Sequence, residues 1–402
     1  MNRRRPWSVA AAAAITAVLT AVAGMAGCSG SSLGSEDAAP AGGPIRIGLV
    51  WPQTGVYKTV GDDFARGWQL YLDTHGGRLG GHEIVTTVVD EGDGKQATRT
   101  GVKKLIEQDR VDVVVGTISS DAVQEVHPAI TQAKLPFVAT GGRPDNLTDL
   151  TYTWHTSWQN RDAGAAIADY IRTNVKGPVF VIGPDYKGGW DQIGGFVDPF
   201  VAAGGKLANP GGKATFTPFP ATTNFLPYLN AIPPEAKAVF CFYGGTNAID
   251  FVKAYDAAGL QNRLPLYAGG FTVEGAVLTA QGAAAEGIYS SLNYAPDLDN
   301  PANRAFATAF QQQHDAIPDL YNVTAYDAAL ILDRAISAAG PNPTRASINA
   351  AIGNLGQIDS PRGQWRYGTQ HAPIQPWYLR QVRTDGRALA NVRVQTLTTL
   401  GA

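Results

Sequence analysis

The chain has 402 residues, 44% hydrophobic and 16% charged, with 32 basic against 34 acidic side chains and a formal net charge of −2. A balance this close to zero offers no long-range field to a polyanion, which argues against nucleic acid as a partner, and two cysteines are too few for a disulfide scaffold. The composition suits a soluble globular protein large enough for two cores.

Arg3, Arg4 and Arg5 precede an Ala/Val/Leu-rich run ending in Met25-Ala26-Gly27-Cys28. Basic residues, then an apolar run, then small residues is the layout of a secretory signal peptide, here residues 1–27. Small residues before a cysteine mark the cleavage point of bacterial lipoproteins, so Cys28 reads as the lipidated anchor, although Met25 stands where such boxes usually carry Leu. An uncleaved N-terminal membrane helix is the alternative, because the run is close to the ~20 residues a span needs. Residues 28–44 are rich in Ser, Gly, Ala and Pro and read as a flexible linker. With Cys28 acylated, Cys241 is left alone in VFCFY as a small buried hydrophobe.

From Ile45 short apolar runs alternate with longer amphipathic ones: IRIGLV, a helix over Val60 to Leu72, EIVTTVVD, a helix over Ala97 to Gln108, VDVVVG, a further helix and FVATG. Near-continuous apolar strands between helical segments predict a parallel sheet covered on both faces, an α/β doubly wound lobe. A second such series starts near Ala163 with AAIADYIRTNV, PVFVIG, a helix through Phe196 to Ala203, AVFCFYG, AIDFVKAYDAAG and LPLYAGG. The helix Tyr321 to Ala339 follows once that series is complete and is expected to return to the first lobe.

Catalytic and metal motifs do not assemble. His82-Glu83 lacks a second histidine one turn on, Gln96 follows Gly94-Lys95 where a phosphate loop needs Ser or Thr, and no GxSxG elbow occurs. The expectation is a protein that is not an enzyme, with no cofactor and no metal. Small residues, hydroxyls and aromatics gather instead beyond the predicted strands, where open parallel sheets bind ligands. These loops are Trp51 to Tyr57, Gly116-Thr117-Ile118-Ser119-Ser120 and Thr140-Gly141-Gly142-Arg143. Each also reads as an ordinary turn or helix cap.

IRIGLVWPQTGVYKTVGDDFARGWQLYLDTHGG resembles the opening of the leucine/isoleucine/valine-type periplasmic binding proteins, and VDVVVGTISSDAVQEVHPAITQAKLPFVATGGRPDNLT resembles their next segment. AYDAALIL and SPRGQWRYGTQHAPIQPWYLRQV are similar to the late helix and terminal stretch of that family, and the likeness runs from about Ile45 to Val382. The resemblance implies two Rossmann-like lobes, residues 45–157 plus 291–372 and 158–290 plus 373–402, joined by three crossovers that hinge closed on a ligand. By position it places the ligand-carboxylate serine on Ser120, beside Ser119, with backbone donors at Gly141 and near Arg143. It puts the aromatic of the second lobe on Tyr186 and a covering position on Trp51. Ser157, Trp158, Asn160, Thr246 and Phe271 complete the expected cleft.

The departures bear on the ligand. Phe271 and Asn160 occupy the places where amino-acid binders of the family carry acidic side chains for the ligand's ammonium, with Glu274 three residues beyond Phe271 as a possible replacement. An unpaired buried ammonium is costly. Trp51, Tyr57, Trp158, Tyr186 and Phe271 suit an aromatic or hydrophobic carboxylate instead. Arg143 either faces the cleft and binds a carboxylate or pairs with Asp145 in a solvated loop. The implied function is an extracytoplasmic, monomeric substrate-binding lipoprotein that delivers a small organic solute to the membrane permease subunits of an ABC importer. A Leu/Ile/Val-type amino-acid binder, a sensor serving a membrane receptor and an enzyme are the alternatives.

Overall fold

The computed structural model describes residues 42–401 apart from 94 and 387; the expected signal peptide, Cys28 and most of the expected linker lie outside the described residues. The first sheet is built from β1 (Ile45–Trp51), β2 (Arg78–Leu79), β3 (His82–Asp90), β4 (Val113–Gly116), β5 (Phe137–Ala139) and β7 (Thr153–His155), in the order β2-β3-β1-β4-β5-β7. Every pairing except β2 with β3 is parallel. Helices α1 (Lys58–Thr74), α2 (Lys95–Glu107) and α3 (Ser120–Gln132) connect these strands. Burial of both sheet faces explains why β4 reads VVVG without polar alternation.

A two-residue pairing of β6 (Gly142–Arg143) with β8 (Trp158–Gln159) leads into the second unit. Its sheet contains β9 (Val179–Asp185), β10 (Thr215–Pro218), β11 (Ala238–Cys241), β12 (Leu266–Gly269) and β13 (Tyr289–Leu292), in the order β10-β9-β11-β12-β13. It continues through β16 (Pro373–Asp385), which pairs antiparallel with β13 and with β17 (Ala388–Leu400). The short β14 (Ile358–Ser360) and β15 (Gly363–Tyr367) join the same sheet through β16, although 291–372 is the segment expected in the first lobe. Leu292 likewise still belongs to β13, so the chain leaves this sheet slightly later than expected.

Helices α4 (Asn160–Asn174), α5 (Lys187–Ala202), α6 (Leu226–Asn230), α7 (Gly245–Ala257) and α8 (Gly275–Gln281) accompany the second sheet. The α5 helix starts well before the Phe196 suggested by sequence, because its glycine-rich first half disguises helical periodicity. Those glycines have a packing reason: a Cβ on Gly195 would stand 2.1 Å from the Arg161 carbonyl oxygen, and one on Gly164 would stand 2.3 Å from that of Gln192. Helix α4 can approach α5 closely only because both positions lack side chains.

Helices α9 (Pro301–His314), α10 (Leu320–Ala338) and α11 (Arg345–Gly353) come last. The α10 helix lies against α1 of the first lobe, with Tyr321 edge-on to Phe64 at 5.9 Å and Tyr326 edge-on to Tyr71 at 5.0 Å.

The segments passing between the sheets are tied at one carbonyl. The Ser157 oxygen accepts from Asn293 Nδ2 at 3.1 Å, Arg362 Nη1 at 3.2 Å and Gln375 Nε2 at 2.9 Å. Arg362 also bonds the Thr156 carbonyl at 2.5 Å and pairs with Asp327 at 2.6 Å. Every side chain in this knot is buried, so its polar atoms must satisfy one another.

Candidate functional site

Between the two sheets lies a narrow cavity lined by Tyr57, Ile118, Ser120, Gly142 and Tyr321 from one side and by Trp158, Asn160, Tyr186, Gln192, Phe242, Gly244 and Phe271 from the other. It encloses about 20 Å³, space for roughly one water, because the Tyr57 and Tyr186 hydroxyls meet across it at 2.8 Å. A ring-sized molecule therefore enters only if the lobes part. Two further bonds close the seam: the Thr246 amide donates to the Val56 carbonyl at 3.1 Å, and the Asp145 amide to Asp191 Oδ2 at 3.2 Å.

Helix starts converge on this space. Tyr57, Ser119, Gln159, Tyr186 and Gly244 are the N-caps of α1, α3, α4, α5 and α7, and none supplies a side-chain cap hydrogen bond. Uncapped first-turn amides and the positive ends of helix dipoles make such a place favourable for an anion. Ser120 opens α3; its hydroxyl accepts from Asn160 Nδ2 at 2.5 Å and reaches the Gly142 carbonyl only at 3.3 Å. The loop that presents it is held by Glu91, whose two carboxyl oxygens accept from the Ile118 and Ser119 amides at 2.8 and 2.7 Å. Burial pushes the Glu91 carboxyl up to about 8 despite those two bonds, which keeps it largely uncharged at neutral pH.

The remaining wall is aromatic. Phe271, on the turn Gly270–Val273, packs tilted against Trp158 with ring centres 4.3 Å apart and meets Phe242 edge-on at 6.0 Å; Tyr186 stacks on Phe219 at 4.3 Å.

The structure thus brings Tyr57, Ser120, Trp158, Asn160, Tyr186 and Phe271 together around the cavity. It does not bring the other expected residues there. Trp51 turns into the first lobe's core against Phe64 and Trp68, 6.5 and 6.3 Å between ring centres, because its face of β1 is the one α1 covers. Arg143 is neither in the cleft nor solvated. It is 1% exposed, and its guanidinium bonds the Pro144 and Leu147 carbonyls and Gln370 Oε1, the last at 2.8 Å. Gly141 and Ser157 bond each other in the crossover knot, the Ser119 amide is taken by Glu91, and Thr246 is exposed at the rim.

Ile118 and Gly142 belong to loops singled out in the sequence but were not named as site residues, and Gln192, Phe242, Gly244 and Tyr321 were passed over. Phe242 and Gly244 sit in and beside a predicted strand end, whereas Gln192 sits inside a helix and gave no local signal. Among the described residues, no acidic side chain lines the cavity. Glu274 is spent elsewhere: it pairs with Arg380 at 2.8 Å and accepts from the Leu320 amide at 2.8 Å. Asp191 lies behind the wall, 3.4 Å from Asn160 Nδ2, and is paired with Lys187.

A family model described as "Periplasmic binding protein" matches residues 44–387. Leu/Ile/Val-binding protein homolog 6 of Brucella melitensis biotype 1 is 27% identical over 370 residues, covering 89% of this chain and 92% of that protein. The ABC transporter solute-binding protein from R. palustris in complex with benzoate superposes with a TM-score of 0.82 at 28% identity, covering 90% of this chain and 98% of that one. A second R. palustris solute-binding protein, in complex with 4-hydroxybenzoate, gives a TM-score of 0.81 at 26% identity, with 89% and 97% covered.

Proposed function

The chain belongs to the periplasmic binding protein family, and from that premise we infer that its cleft captures an aromatic or hydrophobic carboxylate for an ABC importer. The family is extracytoplasmic, and among the described residues no helix is long and apolar enough to cross a membrane. The observation that carries the ligand class is a cavity with aromatic walls, converging helix starts and, among the described residues, no acidic side chain in its lining. An anion gains from the Ser120 hydroxyl and the uncapped amides. An α-ammonium finds no partner, and leaving it unpaired costs more than the roughly 1.5–3 kcal/mol gained by burying a leucine-sized side chain. The relatives bound to benzoate and 4-hydroxybenzoate support the same reading.

The ligand enters with the lobes parted, replaces the Tyr57–Tyr186 contact and stabilises closure by touching both lobes; the membrane permease subunits recognise the closed state. No chemistry is done on the ligand. Cys28 carries the lipid that tethers the protein, as a monomer, to the membrane, and Cys28→Ser is expected to release it to the soluble fraction. The ligand class is tested by titration calorimetry of leucine, valine and phenylalanine beside benzoate and phenylpropanoate. The acids are expected to bind and the amino acids to fail. Micromolar leucine binding with no response to the acids overturns the reading.

A further inference from the structure

Two residues that line the cavity carry buried polar atoms with no partner among the described residues. Trp158 is 2% exposed and its Nε1 donates to nothing; Gln192 is 2% exposed and its Oε1 accepts from nothing. Such orphans are rare in protein interiors and costly where they occur. They also lie at different places. Trp158 Nε1 stands 3.0 Å from the point where a Cβ on Gly142 would be, and Asn160 Oδ1 borders the same point, so the indole donor belongs to the end of the cleft that holds Ser120. A Cβ on Gly269 would stand 2.6 Å from Gln192 Oε1, 3.6 Å from Phe242 Cδ2 and 3.8 Å from Ala163 Cβ, so these three groups share the floor made by the second sheet. Phe271 touches both regions, through Trp158 on one side and Phe242 on the other.

A ring lying against Phe271 therefore meets a spare donor toward one end and a spare carboxamide toward the other. Resting on the aromatic-carboxylate reading above, we propose that the cleft selects a hydroxylated aromatic carboxylate, with Trp158 Nε1 joining Ser120 on the carboxylate and the Gln192 carboxamide receiving a ring hydroxyl. A phenolic hydroxyl donates to Gln192 Oε1 and is small enough for a floor crowded by Phe242 and Ala163. A methoxy group brings no hydrogen. A charged ammonium finds no carboxylate there to pair with.

The test is titration calorimetry of the full-length protein with benzoate, its 2-, 3- and 4-hydroxy derivatives and 4-methoxybenzoate. Wild type, Gln192→Leu and Trp158→Phe are compared. At least one hydroxybenzoate is expected to bind wild type about tenfold tighter than benzoate, as one well-made buried hydrogen bond predicts, and the methoxy compound no tighter than benzoate. Gln192→Leu is expected to bring the hydroxybenzoate-to-benzoate affinity ratio down to about one, with thermal denaturation reporting separately that the variant folds. Trp158→Phe is expected to weaken all the acids in parallel. If benzoate binds but no hydroxy isomer gains, or if the gain survives in Gln192→Leu, the inference is overturned and the aromatic-carboxylate reading stands. If no aromatic acid binds, both fall.

Discussion

Replacing Ser120 by alanine tests the anion end of the cleft most directly. Its hydroxyl is already oriented by Asn160 Nδ2 at 2.5 Å, whereas the bond it donates to the Gly142 carbonyl is long, at 3.3 Å, and easily given up to a stronger acceptor. A carboxylate arriving above α3 offers that acceptor, and the resulting charge-assisted bond in a closed site contributes about 1.5–3 kcal/mol. Ser120→Ala removes this bond and leaves Asn160 Nδ2 with only the long contact to Asp191 at 3.4 Å. Affinity for an aromatic acid should fall roughly 10- to 150-fold, with the loss in the dissociation rate. Calorimetry and stopped-flow fluorescence of the cavity tryptophan read both quantities. Thermal denaturation without ligand should change little, because the substituted side chain is small and opens a helix. A dissociation constant within twofold of wild type would show that the anion is held elsewhere and that the orientation assigned to the ligand is wrong.

Two further outcomes follow from buried charge. Arg362→Met strips Asp327, which is wholly buried, of its ion pair and should cost about 3–5 kcal/mol in chemical denaturation; adding Asp327→Asn should recover much of it, and a loss under about 1 kcal/mol refutes the knot's importance. At the other lobe contact, burial raises the Asp63 carboxyl to about 6 while it bonds the Asp319 carboxyl, with Arg66, Glu274 and Arg380 as the charged neighbours. A carboxyl raised on folding stabilises the native state fully below its unfolded value near 3.8, and that contribution is lost as pH climbs through about 6. Stability curves measured from pH 4 to 7.5 should therefore differ in slope, wild type losing stability relative to Asp63→Asn as pH rises; parallel curves contradict the assignment.

The order of strands and helices, the largely parallel pairing of the strands that alternate with helices and the position of the Ser120 loop beyond its strand are all legible in the chain. Continuous apolar runs such as VVVG and AVFC need burial on both faces, and only helices packed on a parallel sheet provide it. Small residues and hydroxyls at strand ends mark where backbone amides stay open. What the chain by itself left open was where individual side chains point and which distant groups they meet. Trp51 and Tyr57 sit in one loop region, yet α1 covers the first while the second crosses to Tyr186, 129 positions away. Arg143 reads in sequence as facing the cleft or pairing with Asp145, yet Gln370, 227 positions on, supplies its acceptor, and Glu274, a candidate ammonium partner, is claimed by Arg380 and the Leu320 amide. Gln192 carries no local mark at all, because helical periodicity records that a residue faces inward and not what lies opposite. Local pattern reports burial through the periods of strand and helix, whereas the pairing of buried polar groups depends on which elements the three crossovers bring face to face. Tertiary structure alone decides that.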